Sequence, residues 1–170
     1  MPASLKGLIG KLNNTTRLAL EGAAVLCKSF THSDVSVEHY LVKLLDAGPD
    51  TDIPILCKRY GVDPSRVVMD LQKLMNRMHR GHPGTPGFNP ALVQMLCEAW
   101  VLGSVDYNCT RIRGGLLLLA LFTHDELGAR VRDFSSEFRK FPGEGLRRDW
   151  LTIVSGSVEQ SLAVPATIAG

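Results

Sequence analysis

Most apolar residues along the chain recur with the period of an α-helix. Between residues 14 and 30 the small and apolar side chains share one helical face, while Arg17, Glu21 and Lys28 lie on the opposite face. Asn13 precedes this run as a candidate N-cap. No stretch shows convincing β-strand alternation, so the sequence predicts an all-α fold. After a short first segment, the predicted helices cover about 14–30, 36–45, 53–60, 64–78, 90–106, 113–122, 127–132, 135–141 and 144–160.

Glycine and proline divide the chain into two parts of similar length. The segment 81–87, GHPGTPG, cannot continue a helix and predicts a linker. The segment 163–170 has little polarity or periodicity and predicts the start of a second linker. We therefore expect one domain over residues 1–162, with a first repeat at about 12–80 and a second repeat at about 88–160.

The two parts resemble each other when Leu12-Asn13 is placed over Phe88-Asn89. LNNTTRLALEGAAVL then faces FNPALVQMLCEAWVL, and VSVEHYLVKLL faces IRGGLLLLALF after a shift of one residue. Capping residues, apolar spacing and turn length recur together, which is typical of a duplicated supersecondary unit. The predicted architecture is a pseudo-two-fold pair of four-helix repeats.

Charge and hydropathy argue against several classes of partner. The chain carries 19 basic and 17 acidic residues, for a net charge of +2, and it lacks the basic stripe that is usual in nucleic-acid-binding domains. No apolar run approaches the ~20 residues that span a bilayer, and no signal peptide opens the chain. We expect a cytoplasmic protein with no nucleic-acid or membrane partner, and a monomeric isolated domain.

Motifs for catalysis or metal binding are weak. The sequence has no GxxxxGK[ST] loop, HExxH or GxSxG motif, so we expect no catalytic residue and no cofactor in this domain. His79 and His82 have an HxxH spacing, but a metal site needs further ligands. His39 lies in an amphipathic helix and is expected to be a packed or capping histidine. Cys57 and Cys109 are candidates for exposed, oxidisable thiols, which leaves a redox or metal-binding adaptor as one alternative.

The first segment carries a short apolar stripe on a helix of barely two turns. The stripe has the spacing i, i+3, i+4 and i+7 and consists of Leu5, Leu8, Ile9 and Leu12. Gly7 and Gly10 each lower the intrinsic stability of this helix by about 1 kcal/mol, so it needs to dock on the bundle. The stripe either seals the core or docks by one edge and forms a wall of a binding groove.

The last predicted helix offers an opposing wall for such a groove. Its apolar stripe includes a large aromatic anchor and consists of Trp150, Leu151, Val154 and Val158. Phe88 is another apolar residue in an otherwise polar or turn-forming setting, directly after the linker. The period alone does not distinguish groove residues from core residues.

Several segments resemble a known family. NTTRLALEGAAVLCKSFTHSDVSVEHYLVKLLD is similar to the first Clp N-terminal repeat, whose second helix has the motif V-x-x-E-H-L-L-x-x-L-L. Tyr40 replaces the usual leucine, and the motif reads Val35, Glu38, His39, Tyr40, Leu41, Leu44 and Leu45. RIRGGLLLLAL, LRRDW and the opening LKGLIGKLN resemble the ClpV branch, because other branches usually keep an E-H-L-L type motif where this chain has Gly114-Gly115. The resemblance extends from residue 5 to about residue 162.

The resemblance implies a Clp N-domain fold with an extra N-terminal helix and a bacterial, cytoplasmic parent. The domain would recognise substrate for a hexameric AAA+ ATPase whose ATP-binding modules lie beyond residue 170. In the ClpV branch, the substrate is an N-terminal helix of the large sheath subunit, VipB or TssC. Binding of this helix leads to disassembly and recycling of contracted type VI secretion sheaths.

The resemblance also implies a hydrophobic groove beside the first helix. The candidate peptide-binding residues are Leu5, Leu8, Ile9, Leu12, Phe88, Trp150, Leu151 and Val154. For each of these residues, a place in the core is an open alternative. The alternative function is that of a general ClpB-like chaperone N-domain, which captures unfolded or aggregated protein.

Overall fold

The computed structural model describes residues 4–160, and nearly all of their regular structure is helical. The predicted all-α fold is confirmed, whereas the predicted second linker at 163–170 lies outside the described residues. The helices are α1 (Leu5–Gly10), α2 (Asn14–Ser29), α3 (Val37–Leu45), α4 (Asp52–Tyr60), α5 (Pro64–Arg77), α6 (Pro90–Val101), α7 (Gly114–Thr123), α8 (Asp125–Phe134) and α9 (Gly143–Ile153). A π-helical turn (Leu102–Asp106) extends α6, and a 3₁₀ turn (Ser136–Lys140) follows α8.

Capping side chains start α2, α5 and α6 at the predicted places. Asn13 Oδ1 accepts a hydrogen bond from the backbone N–H of Thr16 at 2.9 Å and begins α2. Asp63 and Asn89 cap α5 and α6, each followed by proline at the first helical position. These caps pair backbone N–H groups that a helix cannot pair by itself, so residues close in the chain decide where these helices begin.

The duplication is visible in the pairing of the short segments that precede the helices. Leu12, before α2, forms a parallel bridge with Ile112, before α7. Phe88, before α6, pairs in the same way with Val35, before α3. The entry to the first helix of each repeat therefore pairs with the entry to the second helix of the other repeat. Helices α2–α5 and α6–α9 form the two four-helix units, and α1 lies outside this correspondence.

Two short strands depart from the predicted purely helical pattern. The strands β1 (Asp34–Val35) and β2 (Gly87–Phe88) pair in parallel. Gly87 is the last residue of the predicted linker, but its N–H donates to Ser33 O at 2.9 Å. The His82 N–H also donates to Thr31 O at 2.9 Å, so hydrogen bonds hold both ends of the Gly-Pro segment against the first repeat. Two-residue strands are too short to show alternation, which explains why the sequence does not predict them.

Helix α9 is shorter than predicted. It ends at Ile153 rather than near Gln160, and turns replace its expected last two turns. The Val158 N–H donates to Asp50 O at 3.0 Å, which fixes this tail beside the start of α4. The tail is therefore held by tertiary hydrogen bonds that a helical continuation would not make.

Helix α7 is the centre of the bundle. All of its residues from Gly114 to Leu121 are buried, and it packs against α4, α6, α8 and α9. A helix that is apolar on every side needs neighbours on every side. The GGLLLLALF segment therefore forms the shared core of both repeats.

Candidate functional site

Helix α1 docks on the second repeat by one face. Leu8 is 1% exposed and Leu12, just after the helix, is 3% exposed, and both belong to the core. Leu5 and Ile9 are only partly buried, although they also pack against the core. The four-residue stripe therefore divides into two anchors that seal the core and two side chains that remain partly open to solvent.

The surface beside α1 belongs to α6. Helix α1 packs against α6, and Lys11 Nζ lies 4.9 Å from the centre of the Trp100 ring. Trp100 is half-buried, and the next residue, Val101, is 51% exposed. We define Leu5, Ile9 and Trp100 as the α1–α6 surface. Exposed aromatic and branched aliphatic side chains are common in protein-binding surfaces, but scattered apolar exposure is also normal.

A cleft lies at the junction of α1 and α2. Its volume is about 520 Å³, and the lining includes Leu12, Asn13, Arg17, Arg111 and Glu159. Arg111 Nη1 donates to Gly10 O at 2.9 Å and to Leu12 O at 3.5 Å, so this side chain bridges the end of α1. The cleft is mainly polar at its rim, in contrast to the α1–α6 surface.

The predicted opposing wall on α9 lies mostly inside the domain. Trp150 and Val154 are both 0% exposed, so their side chains are not available to a docked helix in this structure. Leu151 is 39% exposed and is the α9 member of the candidate set that reaches the surface. Val158, also on the predicted stripe, is exposed but lies beyond the end of the helix. Helix α9 packs against α4 and α7, whereas α1 packs against α6.

Phe88 lies in β2 and is half-buried against the core. Its backbone pairs with Val35. The structure brings Leu5, Leu8, Ile9 and Leu12 together on one short segment, and it buries Trp150 and Val154 in the core.

A buried polar network at the start of α7 has no counterpart in the predicted set. Arg113 forms two hydrogen bonds with the Asp52 carboxylate, at 2.7 and 2.8 Å. Glu159 accepts hydrogen bonds from the backbone N–H groups of Gly114 at 2.8 Å and Asp52 at 2.7 Å. The Gly115 N–H donates to Asp52 at 2.9 Å. Two distant carboxylates therefore cap α7, whose own N-cap residue makes no side-chain cap.

Burial and mutual charge shift the protonation of this network. Burial would lower the pKa of Arg113, but its hydrogen bonds and charge interaction with Asp52 raise the pKa overall. Burial and the neighbouring Asp52 charge raise the pKa of Glu159, although backbone hydrogen bonds favour its ionised form. Glu159 also accepts a hydrogen bond from Asn13 Nδ2 at 3.2 Å, which links the network to the N-cap of α2.

His39 is a packed capping histidine, as predicted. The Ser36 N–H donates to His39 Nδ1 at 2.9 Å in a capping box at the start of α3. His39 Nε2 lies 2.9 Å from His32 Nδ1, and burial together with His32 lowers the pKa of His39 to about 4. Both rings are buried.

The predicted exposure of two thiols is wrong. Cys57 and Cys109 are buried, and burial raises the pKa of Cys57 to about 12. A thiol with a raised pKa forms little of the thiolate that reacts with oxidants. Between residues 4 and 160, no three His, Cys, Asp or Glu side chains lie close enough to hold a metal ion, including any set around His79 and His82.

The fold and surface define a duplicated all-helical domain with an additional first helix docked on its second repeat. A family model for the Clp repeat (R) N-terminal domain matches residues 11–132, which is more than half of the chain. The chain belongs to this family. No helix among the described residues is long and apolar enough to cross a membrane.

Full-length proteins and solved structures of this family resemble the chain. The AAA+ ATPase ClpV1 of Pseudomonas aeruginosa is 28% identical over 156 residues, and the match covers 92% of this chain and 17% of ClpV1. The chaperone protein ClpB of Yersinia enterocolitica is 30% identical over 163 residues, with coverage of 96% and 18%. A complex of a ClpV N-domain with a VipB peptide is 32% identical, with a TM-score of 0.79 and coverage of 94% and 97%. The chain thus spans less than a fifth of each full-length relative.

Proposed function

We propose that this domain recognises an N-terminal helix of the large type VI sheath subunit, VipB or TssC, for a ClpV-type ATPase. The observation that carries the proposal is the partly open edge of α1, where Leu5 and Ile9 stay accessible while Leu8 and Leu12 anchor the helix. The similarity to a ClpV N-domain that was solved with a VipB peptide supports it.

The α1–α6 surface fits a short amphipathic helix. Leu5 and Ile9 lie one helical turn apart, and half-buried Trp100 adds an aromatic side chain from α6. Burying an apolar side chain contributes about 1.5–3 kcal/mol before the costs of association. Ordering the partner helix costs about 2–5 kcal/mol of this gain, so a single domain is expected to bind at roughly micromolar Kd.

The charge around α1 favours an acidic partner helix. Residues 4–16 include Lys6 and Lys11 but no acidic residue. The chain as a whole is nearly balanced in charge, so this basic concentration is local. A partner helix with carboxylates on its polar face would complement it.

The parent protein would then act on sheath polymers. A hexameric ring of ATPase modules carrying six such domains would contact several sheath subunits at once, and avidity would favour contracted sheath over free subunits. Disassembly and recycling of the sheath would be driven by ATP in those modules, with this domain supplying recognition.

The test is a titration of the domain with a peptide of the sheath subunit's N-terminal helix. Ile9→Asp places a charge on the α1–α6 surface at a partly exposed position, and we expect it to weaken binding by roughly tenfold or more. Val25→Asp is the matched control, because Val25 is a 71% exposed valine on α2. Absence of saturable binding to the wild-type domain, or equal affinities for the two variants, would refute the proposal.

General chaperone recognition is the second candidate, and the similarity to ClpB supports it. A ClpB-like domain would bind many unfolded polypeptides with little preference for sequence. An unfolded model protein should therefore compete with the sheath peptide only under this alternative. Competition at equal concentrations of the two ligands would favour chaperone function over sheath recognition.

A further inference from the structure

We propose that Arg111 is the positioning residue that holds α1 in its recognition geometry. This inference rests on the proposed function, because it concerns the helix that carries Leu5 and Ile9. Arg111 lies about a hundred residues from α1 in sequence, in the segment that precedes α7. Its guanidinium nevertheless reaches the backbone at the end of α1.

Helix α1 has little stability of its own. It has six residues, two of which are glycines, and isolated helices shorter than about 12 residues are marginal even with good helix-forming residues. Its N-terminus is closed locally, since Ser4 Oγ accepts from the Gly7 N–H at 3.0 Å. Contacts with the rest of the domain must therefore set the position of α1.

The carbonyl groups at the end of α1 show where Arg111 acts. The Lys11 and Leu12 N–H groups donate to Leu8 O and Ile9 O, which satisfies two carbonyls locally. The Ile112 N–H donates to Lys11 O at 2.7 Å. The two remaining carbonyls of this run, Gly10 O and Leu12 O, accept from Arg111 Nη1.

The charge and exposure of Arg111 suit this role. A cation at a helix C-terminus interacts favourably with the partial negative charge of the terminal carbonyls. The residue is exposed, so replacing it leaves no cavity in the core. Loss of its hydrogen bonds would free two backbone carbonyls at the point where α1 joins α2.

Recognition depends on the population of docked α1. A partner that binds only the docked form has an apparent Kd equal to its intrinsic Kd divided by the docked fraction. Undocking or displacement of α1 therefore weakens binding even though Arg111 itself contributes no apolar contact. The effect should be confined to α1 and the partner, with the helices of the bundle unchanged.

The experiment compares Arg111→Ala and Arg111→Lys with Arg17→Ala in the same domain. Arg17 lines the same cleft, but its side-chain hydrogen bonds go to Asn14 and Glu21 within α2. Hydrogen exchange is measured at the Leu8, Lys11 and Leu12 amides, along with the Kd for the sheath-helix peptide and the thermal midpoint.

For Arg111→Ala we expect the docking constant of α1 to fall about fivefold, the size of effect that loss of a net hydrogen bond produces. The fold changes in the undocked fraction, which exchange at these amides measures, and in the peptide Kd multiply to that factor, so each should rise about twofold for a marginally docked helix. Exchange in α7 and the thermal midpoint should stay at their wild-type values. Arg111→Lys keeps a cation with fewer donors, so its α1 exchange rate and its peptide Kd should lie between those of Arg111→Ala and wild type. Arg17→Ala should resemble wild type.

Unchanged α1 exchange in Arg111→Ala would overturn the inference, whatever the peptide does. Accelerated α1 exchange with a wild-type Kd would also overturn it, because α1 geometry would then not govern recognition. Failure of the wild-type domain to bind the peptide would instead count against the proposed function. The exchange data separate these two failures, since they require no partner.

Discussion

A Cβ atom on Gly115 would lie 2.5 Å from Cε3 of Trp150. The fully buried indole therefore packs directly against the backbone at the second residue of α7. The same glycine donates its N–H to Asp52. A residue with a side chain at this position would have to displace the largest core side chain, and this contact explains why a glycine occupies it.

We expect Gly115→Ala to lower the free energy of unfolding by about 1–3 kcal/mol, since the added methyl group overpacks a rigid aromatic contact. Chemical denaturation measures this change. Gly143→Ala is the control, because nothing lies within 4 Å of a Cβ atom there. Equal stabilities of the two variants would contradict the close contact with Trp150.

The pH dependence of the free energy of unfolding should reveal the raised pKa of Glu159. Its folded-state pKa is raised from 4.5 by burial and by Asp52. Just above pH 4.5 the folded state therefore holds this proton more tightly than the unfolded state, and the free energy of unfolding falls as pH rises through this window. Glu159→Gln removes this contribution, so the stability of wild type relative to the variant should decline with increasing pH.

Denaturation of both proteins across the acid range measures the difference, with Glu144→Gln, an exposed carboxylate, as control. The side-chain amide introduced by Glu159→Gln would also point a donor at backbone N–H groups, which should cost about 1–3 kcal/mol near neutral pH. A stability difference that is constant with pH would contradict the raised pKa.

His39 should have the opposite effect to Glu159, because it makes the free energy of unfolding rise with increasing pH. Its pKa is lowered from 6.5 to about 4, so the unfolded state binds more protons than the folded state between these values. The contribution is complete above pH 6.5 and is lost as pH falls toward 4, with a maximum of about 3 kcal/mol from the difference between these pKa values.

His39→Gln keeps a residue that suits the capping box and should flatten the stability profile between pH 4 and 6.5. Thermal unfolding at several pH values is the measurement, and His82→Gln, at an exposed histidine, should leave the wild-type slope. A slope in His39→Gln equal to that of wild type would show that other groups dominate acid unfolding.

Partner binding should depend on ionic strength. Lys6 is exposed on α1, in a stretch that has no acidic residue. We expect Lys6→Glu to weaken sheath-peptide binding about threefold at low salt, and the difference should shrink as salt screens surface charges. Lys58→Glu, on α4, is the control, and an identical Kd for the two variants would argue against an acidic partner face.

The sequence by itself determined most of the helices and the duplication. Asn13, Ser36, Asp63 and Asn89 mark helix starts because caps and proline positions act over only three or four residues. The apolar run from Leu116 to Leu121 indicated a helix over 113–122 for a similarly local reason. Such signals are complete within one segment, so they need no knowledge of the fold.

The tertiary structure decided which apolar residues are core and which remain accessible. A helical period places Trp150 and Leu151 on or beside one stripe, but only the neighbours of α9 show that the first is buried and the second is half-exposed. The Glu159 cap on α7 and the Arg111 contact with α1 join residues far apart in the chain. Hydrogen bonds of this kind depend on how the two repeats pack together, which no local pattern encodes.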